Sequence, residues 1–580
     1  FIALPVLSFG QDLDKVTISG KITDSNGLPV AGASITAIDR DTGQSRTVTS
    51  NDEGRYRIID LLPGRISVKA EAPGFGVRER TGIETLAAQN LQLDFILSPA
   101  DVRAEATVTV SDDDGPAIDT SRTIVGSTLS AREIEDIPNN SRNPLDLVLT
   151  LGGTAEEALS TSDLAEDRNS NPRSTPLEQG NFTISGGASY SNNITIDGFD
   201  NNDDRSARDR FQPSLEAVSE VQVIRNQFSA EYGRASGGRV NLSLRRGTKK
   251  FRGRAYMFFR DENLNANSWY NNSRGISRLP LTNYNPGIVF SGPVLMPFYN
   301  GRKRTFFTVS YEYQRFEDTT LIDTFIPVAA NPRFTLPQPT GTAQFCDNAN
   351  PAQCPTNAGF ISPYQKQYPT PNLGNIITLR LDHKLTKNND LRFGWQFGRR
   401  KNRRTTSAFV TRIEDALQAK NIDSDAFNIT DNHVFGSRTV NEIGFQWSRY
   451  TPSFQTDNPF APVILIGYRN PITNSTQTLI AGNSTSSSLQ NFADNRNEQR
   501  YQLKDSLTHV IGRHTVKVGF DIQYVNSKTL VLGDATGTFN FSSVLNYSNN
   551  TVTRYRQNFG TAMDVTNTYW GVFFNDEMRL

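Results

Sequence analysis

Between residues 249 and 580 the chain repeats one pattern: short runs that alternate apolar with polar residues, joined by connections that are short and long in turn. In Phe307–Tyr313, Phe307, Val309, Tyr311 and Tyr313 share one face, and Thr308, Ser310 and Glu312 the other. Leu391, Phe393, Trp395 and Phe397 oppose Arg392, Gly394, Gln396 and Gly398. Val516, Val518, Phe520, Ile522 and Tyr524 oppose Lys517, Gly519, Asp521 and Gln523. Runs around Ile377–Leu385 and Ile443–Trp447 behave alike. Each is near the ~9–11 residues that cross a bilayer as a tilted strand. One face is apolar and aromatic and the other polar, charged or glycine, which suits lipid outside and a wet lumen inside. A soluble sheet packed on one face alternates too, so the connections decide. Asn388-Asn389, Gly436-Ser437 and Gly512-Arg513 mark very short turns, and long polar stretches at about 317–375, 401–424, 451–500 and 527–566 separate them. Sorting of loop length by end belongs to outer-membrane barrels, and loops past ~15 residues are unusual in soluble domains. About ten strands are expected, at 250–260, 284–292, 305–316, 376–386, 391–400, 425–435, 439–450, 501–511, 514–526 and 567–580.

Composition agrees. The 580 residues hold 60 basic and 60 acidic side chains, a net charge of zero, without the basic excess that gripping nucleic acid needs. There is no run of 18 apolar residues, which excludes a helical membrane span but not a barrel. With 42 Gly, 35 Phe and 18 Tyr against 4 Met, the balance leans β. The length exceeds the ~250–300 residues at which single cores stop growing, so several domains are expected.

Residues 1–13 open with FIALPVLSF and read as the tail of a secretory signal; a buried strand is the alternative. The last residues, YWGVFFNDEMRL, are strand-like to their end, so the sequence is expected to stop inside a longer protein. Over residues 14–99, strand candidates recur about every ten residues, with Asn26-Gly27 and Asn51-Asp52-Glu53-Gly54 turns between them, as in an all-β sandwich. The blocks GKITDSNGLPVAGASITA, TSNDEGRYRI and LPGRISVKAEAPGF resemble the carboxypeptidase regulatory-like domain, a transthyretin-like sandwich. The resemblance implies an accessory module without catalytic residues, structural or docking in role.

Residues 100–116 read as a linker carrying one β-prone strip, AEATVTV, at Ala104–Val110. Such a strip can complete a sheet edge on another chain or simply end the sandwich. In residues 117–248 an α+β unit is expected. Ser130–Ile137 suits a short helix with Ser130 and Glu133 as a capping box, stopped by Pro138. Leu145–Leu151 is a short apolar segment, Ser160–Gly180 a polar loop, and strands are expected at Asn181–Gly187, Asn192–Asp197 and Arg239–Leu244. Leu215–Arg225 suits a helix followed by a strand. The phrases IEDIPNNSRNPLDLVLTLGG, NNITIDGFDNND and PSLEAVSEVQVIRNQFSAEYGRASGGRVNLSLRRGT resemble the plug domain of TonB-dependent outer-membrane receptors, closest to the Oar-like branch. FRGRAYMFFRDENLNANSW, NPGIVFSGPV, GRKRTFFTVSYEYQR and GRHTVKVGFDIQY resemble the start of that branch's barrel, here spanning 249–580.

The resemblance implies a mainly β protein: sandwich, α+β plug, and a partial transmembrane antiparallel barrel. A barrel of about eight strands is filled by its own side chains, whereas one of about 22 encloses a plug, so further strands beyond Leu580 are expected. It also implies a bacterial outer-membrane location with the N-terminal domain in the periplasm. The function implied is uptake of an extracellular ligand, energised by the inner-membrane proton gradient through a TonB-type periplasmic protein. That protein's contact would fall on Ala106, Thr107, Val108, Thr109 and Val110. Expected partners are this coupling protein, outer-membrane lipid and an extracellular ligand, with no nucleic acid. The rival expectation is a non-transporting adhesin or a surface protein that binds carbohydrate or peptide.

Catalytic and metal-binding patterns are not found. His383, His433, His509 and His514 sit in or beside the barrel strands and none forms HExxH. There is no Walker-type phosphate loop or Gly-x-Ser-x-Gly elbow. No catalytic residue, metal ligand or cofactor is therefore nominated, and the chain is expected not to be an enzyme. Asp197, Asp200, Asp203 and Asp204 cluster in one loop, but their spacing is not that of an EF-hand, so a solvated acidic turn is expected. Cys346 and Cys354 lie in one Asn- and Pro-rich loop. A local disulfide suits an exported protein, two unpaired thiols are the alternative, and a zinc site lacks further ligands. The basic run Arg399–Arg404 starts a long loop on this reading, either attracting acidic surface groups or standing as a solvated loop base.

Overall fold

Ten strands form one antiparallel sheet in strict chain order. They are β1 (Arg252–Asp261), β2 (Thr282–Pro293), β3 (Thr305–Glu317), β4 (Asn372–Lys384), β5 (Asn389–Arg404), β6 (Gln418–Phe435), β7 (Thr439–Thr456), β8 (Asn495–Ile511), β9 (His514–Val531) and β10 (Thr561–Met578). The computed structural model describes residues 15–99, 108–110, 125–139, 142–156, 182–187, 191–204, 209–226, 229–317, 319–347, 354, 357–404, 410–413, 416–482, 495–531 and 534–578. The signal-like start, Ala106, Thr107 and the polar stretch Ser160–Gly180 lie outside them.

The period-two pattern orients the strands between the two edges of the sheet. On β3, Thr308, Ser310, Glu312 and Gln314 are buried, while Val309 and Tyr311 face outward. On β8, Arg496, Glu498, Arg500 and Gln502 are buried, while Tyr501, Leu503 and Leu507 are exposed. This inverts a soluble sheet: the apolar face is outside, as lipid contact requires. The inner face is not the wet lumen expected from the alternation. It packs on the central domain, which buries its polar side chains and pairs its charged ones Glu312, Arg380, Glu498 and Arg500. The turns at one end are short, with Gly436 and Gly512 at positive φ (73° and 58°), the conformation that favours glycine in a tight hairpin.

The central domain has a five-stranded sheet in the order Val125–Ser130, Val218–Asn226, Arg239–Leu244, Asn193–Ile196 and Phe199–Asp200. Its helix, Ala131–Asp136, carries the expected Ser130 and Glu133 capping box. The apolar segment after it becomes the 3₁₀ turn Pro144–Thr150, burying Leu145, Leu147 and Val148. The core includes Ile134, Val148, Val221 and Val240, and barrel residue Ile376 of β4 completes it. At the N-terminus, two sheets enclose Val16, Ile18, Ile35, Ile58, Val68 and Phe95, a sandwich with its own core. It sits against the short-turn end of the barrel. Lys15 Nζ meets Glu442 at 2.5 Å, Arg57 meets Glu577 at 2.8 Å, and Gln44 donates to Asp390 at 3.1 Å.

The described parts of the long connections are folded. The strands outrun a bilayer, up to 18 residues in β6, β7, β9 and β10. Beyond them a three-stranded sheet forms in the order Thr319–Pro327, Phe360–Pro369, Phe345–Cys346. Beside it lies a five-stranded sheet in the order Val410–Arg412, Thr476–Gly482, Val463–Arg469, Thr538–Phe541, Arg554–Arg556. They share a core with Phe325, Phe334, Tyr364, Ile466, Phe541 and Tyr547, making a cap. Burial here offsets the ordering cost of segments that are polar on average. The basic run likewise lies within β5 rather than in a loop. Arg399 pairs with Asp425 at 3.0 Å, and Arg400, buried on the inner face, donates to the Gln212 side chain.

Phe541 is fully buried, its ring 5.4 Å from Tyr547 and 6.1 Å from Phe334. Phe541→Ala should destabilise the cap by about 3–5 kcal/mol. Limited proteolysis should then cut between residues 457 and 560 while the heat-modifiable migration of the barrel stays unchanged.

Candidate functional site between the barrel and its central domain

The four aspartates expected to form a solvated turn are instead at the centre of a buried ion-pair network. Asp200 is 3% exposed and Asp203 2%. The tight strand pair Asn193–Ile196 and Phe199–Asp200 carries this loop up to the inner face of β8. There Arg500, itself 0% exposed, bonds Asp200 and reaches Asp204 at 2.8 Å. Arg234 of the central domain braces the same two carboxylates at 3.0 Å each. Asp203 meets Arg496 at 2.7 Å, and Arg210 pairs with Glu498 while donating to Ser448 of β7 at 2.9 Å. Asp197 turns the other way, 3.4 Å from Arg380 of β4, which also holds Asp382 at 3.1 Å. Spacing within the loop says nothing of the arginines that β8 brings from about 300 residues away.

Two further locks stand around the lumen. Arg142 bridges Glu216 of its own domain and Glu312 of β3 (2.9 Å to the latter), and its guanidinium lies 3.8 Å over the Phe258 ring. Tyr256 donates to the same Glu312 at 2.9 Å. Lys517 of β9 meets Glu231 at 2.5 Å. Glycines let the surfaces close. A Cβ on Gly444 would stand 2.9 Å from the Phe199 ring, and one on Gly398 would stand 3.3 Å from Phe211.

Burial pushes the Asp200 carboxyl up, and Arg500 and Arg234 more than offset it, holding it below the usual carboxylate range. The network is thus charged at neutral pH. Paired charges in a low-dielectric site fix register strongly while adding little net stability, because each loses its hydration on burial.

Of the residues expected from sequence, Val108–Val110 forms a strand parallel to Arg78–Arg80, last in its sheet. Cys346 and Cys354 are joined by a disulfide in the cap, with Cα atoms 5.8 Å apart. Asp197, Asp200, Asp203 and Asp204 share one loop but divide between β4 and β8. The sequence pattern put Glu312 and Arg380 on the inward face without a partner, and it did not single out Glu498 and Arg500. Their one signal was a charge at an inward position of an alternating strand, which a water-filled lumen would also explain. The four histidines all lie on the outer face near the short-turn end. Thr305 and Thr439 hold His383 and His509, each at 2.7 Å, His433 packs on Phe435, and His514 meets Asp576 at 2.7 Å.

Comparison with known proteins gives three family matches: residues 243–580 to the outer membrane beta barrel domain, 17–98 to the carboxypeptidase regulatory-like domain, and 125–239 to the TonB-dependent receptor plug domain. Over 243 residues the chain is 26% identical to the TonB-dependent transporter Oar of Myxococcus xanthus, a stretch covering 41% of this chain and 21% of that protein. The outer membrane transporter YddB from Escherichia coli is similar in fold, with TM-score 0.50 and 11% identity over 78% of this chain and 54% of that one. The siderophore receptor PirA from Pseudomonas aeruginosa gives TM-score 0.40 and 12% identity over 70% and 51%. The chain therefore spans about half the length of these solved structures.

Arg500→Ala strands two buried carboxylates and should cost about 3–5 kcal/mol of seating. Faster proteolysis of the central domain in otherwise folded barrels checks it. With its folded pKa depressed, Asp200 contributes stability above the unfolded value of about 3.9, lost as pH falls through the folded one. The domain should therefore stay protease-resistant at pH 5 and loosen only below the usual carboxylate range, as a proteolysis series against pH would show.

Proposed function

The chain belongs to the TonB-dependent receptors of the outer membrane, of the Oar-like type, and on that premise we propose that it takes up an extracellular ligand by energised movement of its plug. Its barrel lies in the outer membrane, with the plug toward the periplasm. The observation that carries the proposal is the kind of bond that holds the plug. Its contacts with β4 and β8 are mainly ion pairs made by Asp197, Asp200, Asp203 and Arg210, beside the apolar contact of Ile376. Charges regain hydration when drawn apart, so a directed pull can separate them, and their geometry restores a single register afterwards. Large apolar contacts would lack that reversibility.

The pull needs a handle on the periplasmic side. Val108–Val110 ends its sheet and precedes the plug in the chain. A strand from a TonB-type protein could pair along that edge, where backbone hydrogen bonds supply affinity with little demand on side chains. Force from the inner-membrane proton gradient would then pass directly into the plug. The cap favours a fixed ligand-recognition surface, since an apolar core of its own holds it together.

Deleting Ala104–Val110 should weaken binding of a purified TonB C-terminal domain to the full-length receptor at least ten-fold by calorimetry. It should abolish energised uptake in cells and leave surface binding of the ligand unchanged. Uptake that survives the deletion would instead support the rival assignment, a surface binding protein whose plug stays shut.

A further inference from the structure

We infer that the periplasmic rim of the barrel is a binding surface for acidic phospholipid of the inner leaflet. A repeat marks the short turns. Each places an exposed apolar side chain on the lipid side and an exposed base just after it. Leu385 precedes Lys387, Phe435 precedes Arg438, and Ile511 precedes Arg513. All three apolar residues keep the outward register of their strands, and each is 54–56% exposed.

The turn between β2 and β3 enlarges the same device. Leu295–Met296 and Tyr299–Asn300 form a small hairpin whose tip, Phe298, is 103% exposed. Arg302, Lys303 and Arg304 follow it, all exposed. Among the described residues, no carboxylate lies within ion-pair distance of these three. The hairpin is tied to the outer face, because the Tyr299 hydroxyl bonds Thr305, which shares the outward register of Phe307. It therefore continues the aromatic belt of Phe251, Phe290 and Phe307 past the strand ends.

The outward acids near this rim are already engaged. Asn389 holds Asp431 at 3.1 Å, Asn441 holds Asp505 at 2.7 Å, and His514 holds Asp576 at 2.7 Å. The exposed bases of the rim are left unmatched by these acids, with apolar side chains beside them to enter the acyl boundary; Lys387 also lines the cavity beneath the sandwich. An amphipathic ring, apolar and basic, matches an anionic bilayer surface in both respects. Continuity with the lipid-facing belt favours lipid over a soluble anion or a protein as the occupant. The inference needs only the outer-membrane placement and holds whether or not the plug moves.

The test uses the full-length protein in detergent, incubated with equimolar phosphatidylglycerol and phosphatidylethanolamine of matched chains, with retained lipid counted by native mass spectrometry. Phosphatidylglycerol should be enriched roughly five-fold, the factor that one base near an anionic surface supplies. Sodium chloride at high concentration should erase the enrichment in the unaltered protein. Combined Arg302→Gln, Lys303→Gln and Arg304→Gln should reduce it, with folding checked by heat-modifiable migration. Phe298→Ser should lower retention of both lipids. Equal retention of the two lipids, or enrichment indifferent to salt, would overturn the inference. So would full competition by millimolar inorganic phosphate, which would mark a free-anion site.

Discussion

The structure depends on one constraint: the barrel's inner face is polar, and a domain fills it. In a bilayer every strand must pair along its backbone and turn apolar side chains outward. That forces Ser310, Glu312, Arg380 and Arg500 inward, where the central domain then buries them. Buried charge is costly unless matched. The plug loop supplies the match with Asp197, Asp200, Asp203 and Asp204, so the outward demand of the membrane is answered by the inward chemistry of the plug.

This also explains why the plug is joined to the barrel mainly by charge. An apolar seam would have needed apolar residues on both faces of β3 to β9. Such strands would lose the alternation that orients them, since a shift of one residue would no longer move any side chain to the wrong solvent. Polar inner faces keep the register defined. Small residues at Gly444 and Gly398 then admit the plug's Phe199 and Phe211, and Ile376 of β4 reaches the plug's core.

At the two ends of the barrel the strands meet different problems. Beyond the outer surface the chain returns to water, and strand extensions fold together around Phe334, Phe541 and Tyr547 as a soluble domain would. On the periplasmic side the turns are too short for a core. There the sandwich presses on the rim through isolated polar contacts such as Lys15 with Glu442 and Arg57 with Glu577. The apolar side chains at the turn edges stay exposed to the membrane interface.

Much of this was legible locally. A period of two identifies the strands and their outward faces, because adjacent residues of a strand point to opposite sides whatever surrounds it. The capping box at Ser130 and the hairpin glycines at Gly436 and Gly512 are equally local, since each sets its own backbone. The sequence by itself determined these, together with the family and the order of its parts. What it could not decide was burial. Asp200 looks solvated until Arg500 lies against it, and the stretches between strands look like loose polar loops until Ile466, Phe541 and Tyr547 meet. Only the tertiary structure decided those points, because desolvation and apolar packing depend on residues distant in the chain, and no spacing within a segment records which partner will arrive.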